Sequence, residues 1–539
     1  MGSPQDLQKD DEKTVAATSG PLEMQQSQMD DDNLKTARSN IQGDIKDLDE
    51  AGLFLQQHNF SGDYLAELLE DTAMNKRVIR KVDLLLMPLL CGTYFLQYID
   101  KQAVSYSAVF DLFETTGITG SQYSWLGSIF YFAYFFAEWP SAYLAQHFPT
   151  GRVIACYCFM WGTVMLCTAA THNFAGFAAM RFLLGVFESV VTPAFMMIVG
   201  QYYLKYQQPA RAGMFYCFNG VGSATGGIIF YGVGYAKNFP VWKIIYLICG
   251  GLTVLWAIVL FFRLPNDIMS WKKFTPEERA LLIARAAKNR TGVLNRKIKV
   301  SQIREALTDP QIWILFFFTL LNEIINGGIA TLASSLSSLW LAVMWVFTGP
   351  FLASRIKNAR TYIMALWLCP TIIGTTLIWK LPRTNLGGGL AGYYMVGSFV
   401  GALVIALQFP ASNVAGYTKR TTSTAFVFLA YCIGNIIGTS PKPQTAQFFL
   451  TNYSLIDTPL PGPQAFLARE APIYETGVKT VLACSVGQCI LALVLRALLV
   501  YRNKKRDREE AENPSPPDDG SEVLEDLTDF QNRKFRYSL

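Results

Sequence analysis

Residues 174–202 read FAGFAAMRFLLGVFESVVTPAFMMIVGQY, and in this whole run only Arg181 and Glu188 carry charge. A helix of this length rises about 43 Å, more than the roughly 30 Å hydrocarbon core that about 20 mainly apolar residues can cross. The stretch therefore reads as a membrane-spanning helix. Charges inside such a helix are costly and mark functional sites by default. Arg181 and Glu188 stand seven residues apart, close to two turns, so they share one face about 10 Å apart along the axis.

Outward from this helix the pattern repeats. Further apolar runs lie near 83–106, 122–145, 152–171, 212–235 and 242–263, and again near 311–333, 339–353, 361–381, 389–412, 421–438 and 477–501. The expectation is an all-α membrane protein of two six-helix halves, 81–263 and 310–501. A tail over 1–80, a central loop over 264–309 and a tail over 502–539 flank them. Composition agrees: 51% of residues are hydrophobic and 16% charged, against about 25% charged in soluble domains. The acidic N-terminal tail lacks a cleavable apolar core, so no signal peptide is expected. Both tails read as disordered. Lys76, Arg77, Arg80 and Lys81 precede the first run, and Arg152, Lys205, Arg211, Arg355, Lys357, Arg360, Lys419 and Arg420 fall on the same side. The bias of bases toward cytoplasmic loops then places both termini in the cytoplasm. In the central loop, Thr275-Pro276-Glu277-Glu278 combines an N-cap, a proline at the first helical position and a glutamate three residues on, predicting an amphipathic helix over about 276–290.

Several classes are excluded. All ten cysteines fall in apolar runs, and the three histidines (His58, His147, His172) sit at no metal spacing, so neither a disulfide framework nor a metal site is expected. No cofactor is implied, and no basic stripe with interleaved aromatics suggests nucleic acid. The glycines of 220–234, a run that includes small residues at four-residue spacing, read as close helix packing rather than a nucleotide loop. No GxxxxGK[ST] occurs, which leaves ion-gradient coupling rather than ATP. Tyr143-Leu144-Ala145 before Arg152 is echoed by Phe351-Leu352-Ala353 before Arg355, half a membrane domain later, as a duplicated architecture requires.

Tyr98-Ile-Asp-Lys101, Gln122-Tyr-Ser-Trp-Leu-Gly127, Arg181-Phe-Leu-Leu-Gly-Val-Phe-Glu188 with Pro193, and Asn413-Val-Ala-Gly416 with Lys419-Arg420 resemble the major facilitator superfamily, in its fungal allantoate-permease group of anion:cation symporters. The resemblance spans about 76–333 and 341–502. It implies import of a small organic anion by proton symport, in a monomer of the plasma membrane. It also implies anion binding at Arg181 and Lys101 and proton coupling at Glu188. The superfamily's Asp after the Leu-Ala pair is Gln146 here.

Other in-span polar residues complete the candidate set. Asp100 is a proton site or the neutralising partner of Lys101; neighbouring helical positions differ by about 100°, so the two cannot share one cavity equally. Glu323 is a second coupling candidate, near Asn326 and a Gly327-Gly328 pair that could unwind the helix beside a cavity. Asn219, Asn326 and Gln408 are substrate ligands or interhelical hydrogen-bond partners. Glu138 precedes Trp139-Pro140 and reads as a kink feature or a substrate contact.

Two departures stand out. The apolar run 339–353 rises only about 22 Å, so helix 8 looks truncated, with residues missing near Ser334–Leu339. Conversely, 439–461 is a polar, proline-rich interruption holding Asn452-Tyr453-Ser454, a glycosylation acceptor if exported. They leave open a transport-inactive membrane sensor, or a non-functional gene-model variant of such a permease.

Overall fold

The computed structural model describes residues 50–60, 62–236, 239–289, 298–330, 336–382, 385–439, 475–512 and 526–539. The first 49 residues, the residues around Ser334 and nearly all of the 439–461 interruption, Asn452 included, lie outside them. The rest of the N-terminal tail departs from the disorder expected of it: Glu50–Gln57 and Gly62–Glu70 are helical, with Phe54, Leu55 and Leu68 buried. Among the described residues every regular element is helical. Twelve long helices make the body: α1 (Thr72–Val109), α2 (Gly120–His147), α3 (Thr150–Thr168), α4 (Phe174–Tyr202), α5 (Gln208–Val233), α6 (Val241–Arg263), α7 (Pro310–Ala330), α8 (Leu336–Arg355), α9 (Arg360–Lys380), α10 (Gly387–Asn413), α11 (Tyr417–Thr439) and α12 (Glu475–Glu512). Eight of them (α1, α3, α4, α6, α9, α10, α11 and α12) are long and apolar enough to cross a membrane.

The packing repeats with a step of six helices. In the first set α1 lies against α6, α3 against α6 and α2 against α4; in the second, α7 lies against α12, α9 against α12 and α8 against α10. The sets join through α2–α11 and α5–α8, again a six-step pair. The Leu-Ala echo falls at the ends of α2 and α8, which are equivalent helices in this scheme. The α5 glycines bear out the packing reading: a Cβ on Gly222 would stand 2.7 Å from the Phe95 carbonyl oxygen of α1. α8 is 20 residues long and contains the short apolar run, so it rises about 30 Å. α7 stays helical through Gly327 and Gly328 to Ala330. The unwinding expected there is absent.

One end of the bundle gathers the α2–α3, α4–α5 and α10–α11 junctions and the start of α9. Gln146 donates to Thr418 at 3.2 Å, Gln201 to Tyr417 at 3.4 Å, and Arg360 to the Lys205 carbonyl. Gln146 thus bridges to the opposite set by a neutral hydrogen bond where the superfamily pattern has an acid. A void of only about 20 Å³ remains above this seal, room for about one water. The helix Pro276–Lys288 forms as its capping box dictates, with Thr275 and Glu278 each capping the other's backbone N–H. Burial would raise the Glu278 pKa, but the Lys81 ammonium at 2.6 Å and the Thr275 N–H hold it below the usual carboxylate range.

The expectation of a disordered C-terminal tail is corrected. α12 continues to Glu512, and Asp526–Leu539 packs on the sealed end with Phe535 and Tyr537 buried. The reason is specific pairing. The Asn413 side chain donates to the Ser538 carbonyl at 2.8 Å and accepts from its N–H at 2.9 Å, and Lys205 lies 3.8 Å from the centre of the Phe535 ring. Lys419 has no exposed side-chain surface and meets Asp529 at 2.7 Å, Glu305 at 2.9 Å and Asp309 at 3.4 Å. Removing one partner of such a buried set costs about 3–5 kcal/mol, because the opposite charges stay buried. Lys419→Met is therefore expected to lower the melting temperature of the detergent-purified protein markedly, and Lys419→Arg to restore most of it.

Candidate functional site

The site begins with a break in α4. The helical hydrogen-bond ladder runs from Phe174 to Glu188 and resumes at Val191, while Ser189 and Val190 keep helical dihedrals. Pro193 has no N–H to offer the Ser189 carbonyl, so the ladder is interrupted there. The Ser189 hydroxyl instead pairs with Ser141 of α2 at 2.8 Å. Glu188 thus ends the first segment near the middle of the span, with no exposed surface.

Lys101 of α1 reaches across to Glu188, Nζ to Oε1 at 3.1 Å. Its side chain keeps 25% of its surface exposed, whereas that of Glu188 keeps none, so the pair opens toward Lys101. The second Glu188 oxygen meets no donor. Phe130 of α2 lies between two cations: its ring centre is 5.6 Å from the Lys101 ammonium and 5.9 Å from the Arg181 guanidinium. The contact needs a glycine, because a Cβ on Gly185 would stand 2.3 Å from the Phe130 carbonyl oxygen. Gly185→Val is expected to push α4 from α2, costing about 1–3 kcal/mol as overpacking does. It should lower the melting temperature and weaken substrate binding together, as a thermal-shift titration would read.

Among the described residues Arg181, unlike Lys101, has no counter-ion. It is 6% exposed, its Nε finds no acceptor, and among the described residues no carboxylate pairs with it. A buried cation without an anion is costly, and a planar guanidinium is suited to a carboxylate. Its position therefore suits an incoming anion.

The second set of helices supplies Glu323 of α7. Its Oε2 accepts from Asn435 of α11 at 2.7 Å and from Asn326 at 2.9 Å, while Oε1 has no partner. A Cβ on Gly434 would fall 2.5 Å from the Glu323 Cβ, so α11 approaches α7 closely here. Tyr131 of α2 stands within electrostatic range of Lys101, Glu188 and Glu323, and so connects the two sets. Its ring and that of Tyr134 lie 6.3 and 6.5 Å from Tyr431 of α11.

The remaining candidates sit elsewhere. Asp100 is fully buried, accepts from Thr253 of α6 at 2.9 Å and lies beside Cys249. It faces α6, turned from Lys101 as the 100° step requires. Gln408 donates to Gln208 of α5 at 3.2 Å as part of the sealed end. Asn326 serves Glu323 and the Asn435 side chain. Asn219 is half-buried and makes no hydrogen bond to another described residue. Glu138 is fully buried with neither oxygen bonded, one turn from Tyr134. The structure thus brings together Lys101, Arg181 and Glu188 around Phe130, with Glu323 facing them. Sequence reasoning missed Phe130, Tyr131, Tyr431 and Asn435. The dense aromatic run Phe130–Phe136 was a signal for the first two; nothing marks the others apart from their neighbours.

The family description that matches the chain is the Major Facilitator Superfamily, over residues 90–439. An uncharacterized transporter, C757.13 of Schizosaccharomyces pombe, is 33% identical, the match covering 86% of this chain and 87% of that protein. The allantoate permease of Saccharomyces cerevisiae is 29% identical, over 88% of each chain. Among solved structures, the proton:xylose symporter XylE superposes with a TM-score of 0.54 at 9% identity, covering 83% of this chain and 98% of that one. That likeness concerns the fold.

Proposed function

The chain belongs to the Major Facilitator Superfamily, and on that premise we propose that this secondary transporter imports a small organic anion together with a proton. The observation that carries the reading is Arg181, a buried cation with no anion of its own among the described residues, beside the Lys101–Glu188 pair. A carboxylate entering between Arg181 and Lys101, against the Phe130 ring, would supply the missing charge. Glu188 already neutralises Lys101, so substrate and carboxylate compete for the ammonium. Protonation of Glu188 releases Lys101 to the substrate. The loaded site then carries one anion and one extra proton. Moving it through the bilayer core therefore exposes no additional net charge, where burying charge is expensive. Without that proton Lys101 stays paired with Glu188 and is not released to the substrate.

The two sets of helices rock about this site, with α2–α11 and α5–α8 as the moving seams. The seal at the basic end, including Asp526–Leu539, closes that side in the present structure. With the bases placed in the cytoplasm, the sealed end is the inner one and both termini lie inside the cell, in the plasma membrane. The resemblance to an allantoate permease supports a ureide carboxylate as the first substrate to try. The test is uptake of radiolabelled allantoate and a panel of carboxylates, with their amides as neutral counterparts, in cells lacking endogenous anion permeases. Uptake that rises as external pH falls, collapses with a protonophore and ignores the amides is the expected result. Uptake of amides and acids alike would overturn the anion assignment.

A further inference from the structure

Away from the central site, the outer face of α1 and α6 carries two adjoining clefts. The first, of about 830 Å³, is lined by Lys76, Arg77, Arg80, Lys81 and Lys273. The second, of about 520 Å³, continues from it between Pro88, Ile258 and Phe262, sharing Leu84, Leu85 and Lys273 with the first. Leu84 is 70% exposed and Phe262 77%, while Trp271, 6% exposed, forms part of the wall. A basic chamber thus runs directly into a mainly apolar groove that also carries Arg263.

Four of the five cations of this chamber make no hydrogen bond or ion pair among the described residues. Lys81 is engaged by Glu278 at 2.6 Å. Among the described residues, Lys76, Arg77, Arg80 and Lys273 make no hydrogen bond or ion pair. Asp83, the acid nearest in sequence on α1, is taken by Arg211 at 3.0 Å and by the Tyr203 hydroxyl at 2.7 Å. Three cations without a hydrogen bond or ion pair at the start of α1, with Lys273 beyond the end of α6 and exposed apolar side chains alongside, match the two halves of one molecule. We propose that this pair of clefts binds an anionic phospholipid, its headgroup phosphate among Lys76, Arg77, Arg80 and Lys273 and an acyl chain along Leu84, Pro88, Ile258 and Phe262. Basic pockets between spanning helices recognise lipid headgroups in this way. A free phosphate would satisfy the cations and leave the groove empty, so the groove selects lipid.

The experiment uses the full chain purified in detergent and incubated with mixed micelles of equal phosphatidylserine and phosphatidylcholine, bound lipid being quantified after removal of excess. Phosphatidylserine is expected to be enriched on the protein. The triple variant Lys76→Gln, Arg77→Gln, Arg80→Gln should lose that enrichment by at least ten-fold, since each interfacial cation contributes roughly five-fold. Lys273→Gln, on the other wall, should lose a smaller part. A charge-matched control, Arg355→Gln, Lys357→Gln, Lys504→Gln, should keep it. All replaced side chains are exposed, and equal melting temperatures in phosphatidylcholine alone would verify folding. Enrichment retained in the triple variant overturns the proposal, as does equal loss in the control. So does inorganic phosphate protecting the protein against heat as well as phosphatidylserine does, which would mark a free-phosphate site.

Discussion

Replacing Glu188 with glutamine is expected to abolish concentrative uptake and its pH dependence while leaving substrate exchange intact. Glutamine keeps the size and hydrogen-bonding reach of the side chain but holds no titrating proton. The Lys101 ammonium, 3.1 Å from Glu188 in the native protein, would then be permanently free for substrate. Binding should persist or tighten at neutral pH, and labelled substrate should still exchange across the membrane. What disappears is the drive: one pH unit across the membrane is worth about 1.4 kcal/mol, or a ten-fold accumulation, for each coupled proton. Accumulation ratios measured at external pH 5 and 7 should both fall toward one. A variant that still concentrates substrate at pH 5 would transfer the coupling role to another acid, with Glu323 the first to examine.

Arg181→Gln is expected to reduce uptake at low substrate concentration by roughly 30-fold or more. Truncating one member of a buried charge pair costs about 2–5 kcal/mol, and every 1.4 kcal/mol is ten-fold. Arg181→Lys keeps the charge without the planar fork, so it should recover only part of the activity. The same substitutions separate this role from a structural one. Arg181 has no counter-ion among the described residues, so the empty protein carries the cost of burying it. Its removal should leave the melting temperature unchanged or raise it, as function-driven strain predicts. A structural arginine would do the reverse, with lowered stability accompanying any loss of uptake.

The legible and the illegible parts of the site divide on a physical line. Lys101, Arg181, Glu188 and Glu323 stand out because charge is rare inside a lipid-length apolar run, so single residues carry the signal. Asp100 carries the same signal, yet it faces Thr253 and Cys249 of α6. Rarity reveals that a charge is in the bilayer, not which helix it turns toward. Gln408 shows the same limit, for its partner Gln208 lies 200 positions away in the chain. Tyr431 and Asn435 were silent because aromatic and amide side chains are common in such helices, and only contact distinguishes them. The C-terminal segment misled for a related reason. Its composition is that of a solvated tail, but Phe535, Tyr537, Asp529 and Asp526 find a complementary surface made by Asn413, Lys419, Tyr417 and Lys205.

The sequence by itself determined that the chain is helical and membrane-embedded, the rhythm of its spans, the duplicated order of its helices and the rare charges within them. These follow from local length, hydropathy and periodicity, which need no knowledge of neighbours. Only the tertiary structure decided that Lys101 pairs with Glu188, that Arg181 is left without an anion, that Gly185 and Gly434 admit close helix contacts, and that the tail seals one end. Each of these depends on residues far apart in sequence meeting within a few ångströms, and pairing energies in a low-dielectric interior are set by that distance and by nothing readable along the chain.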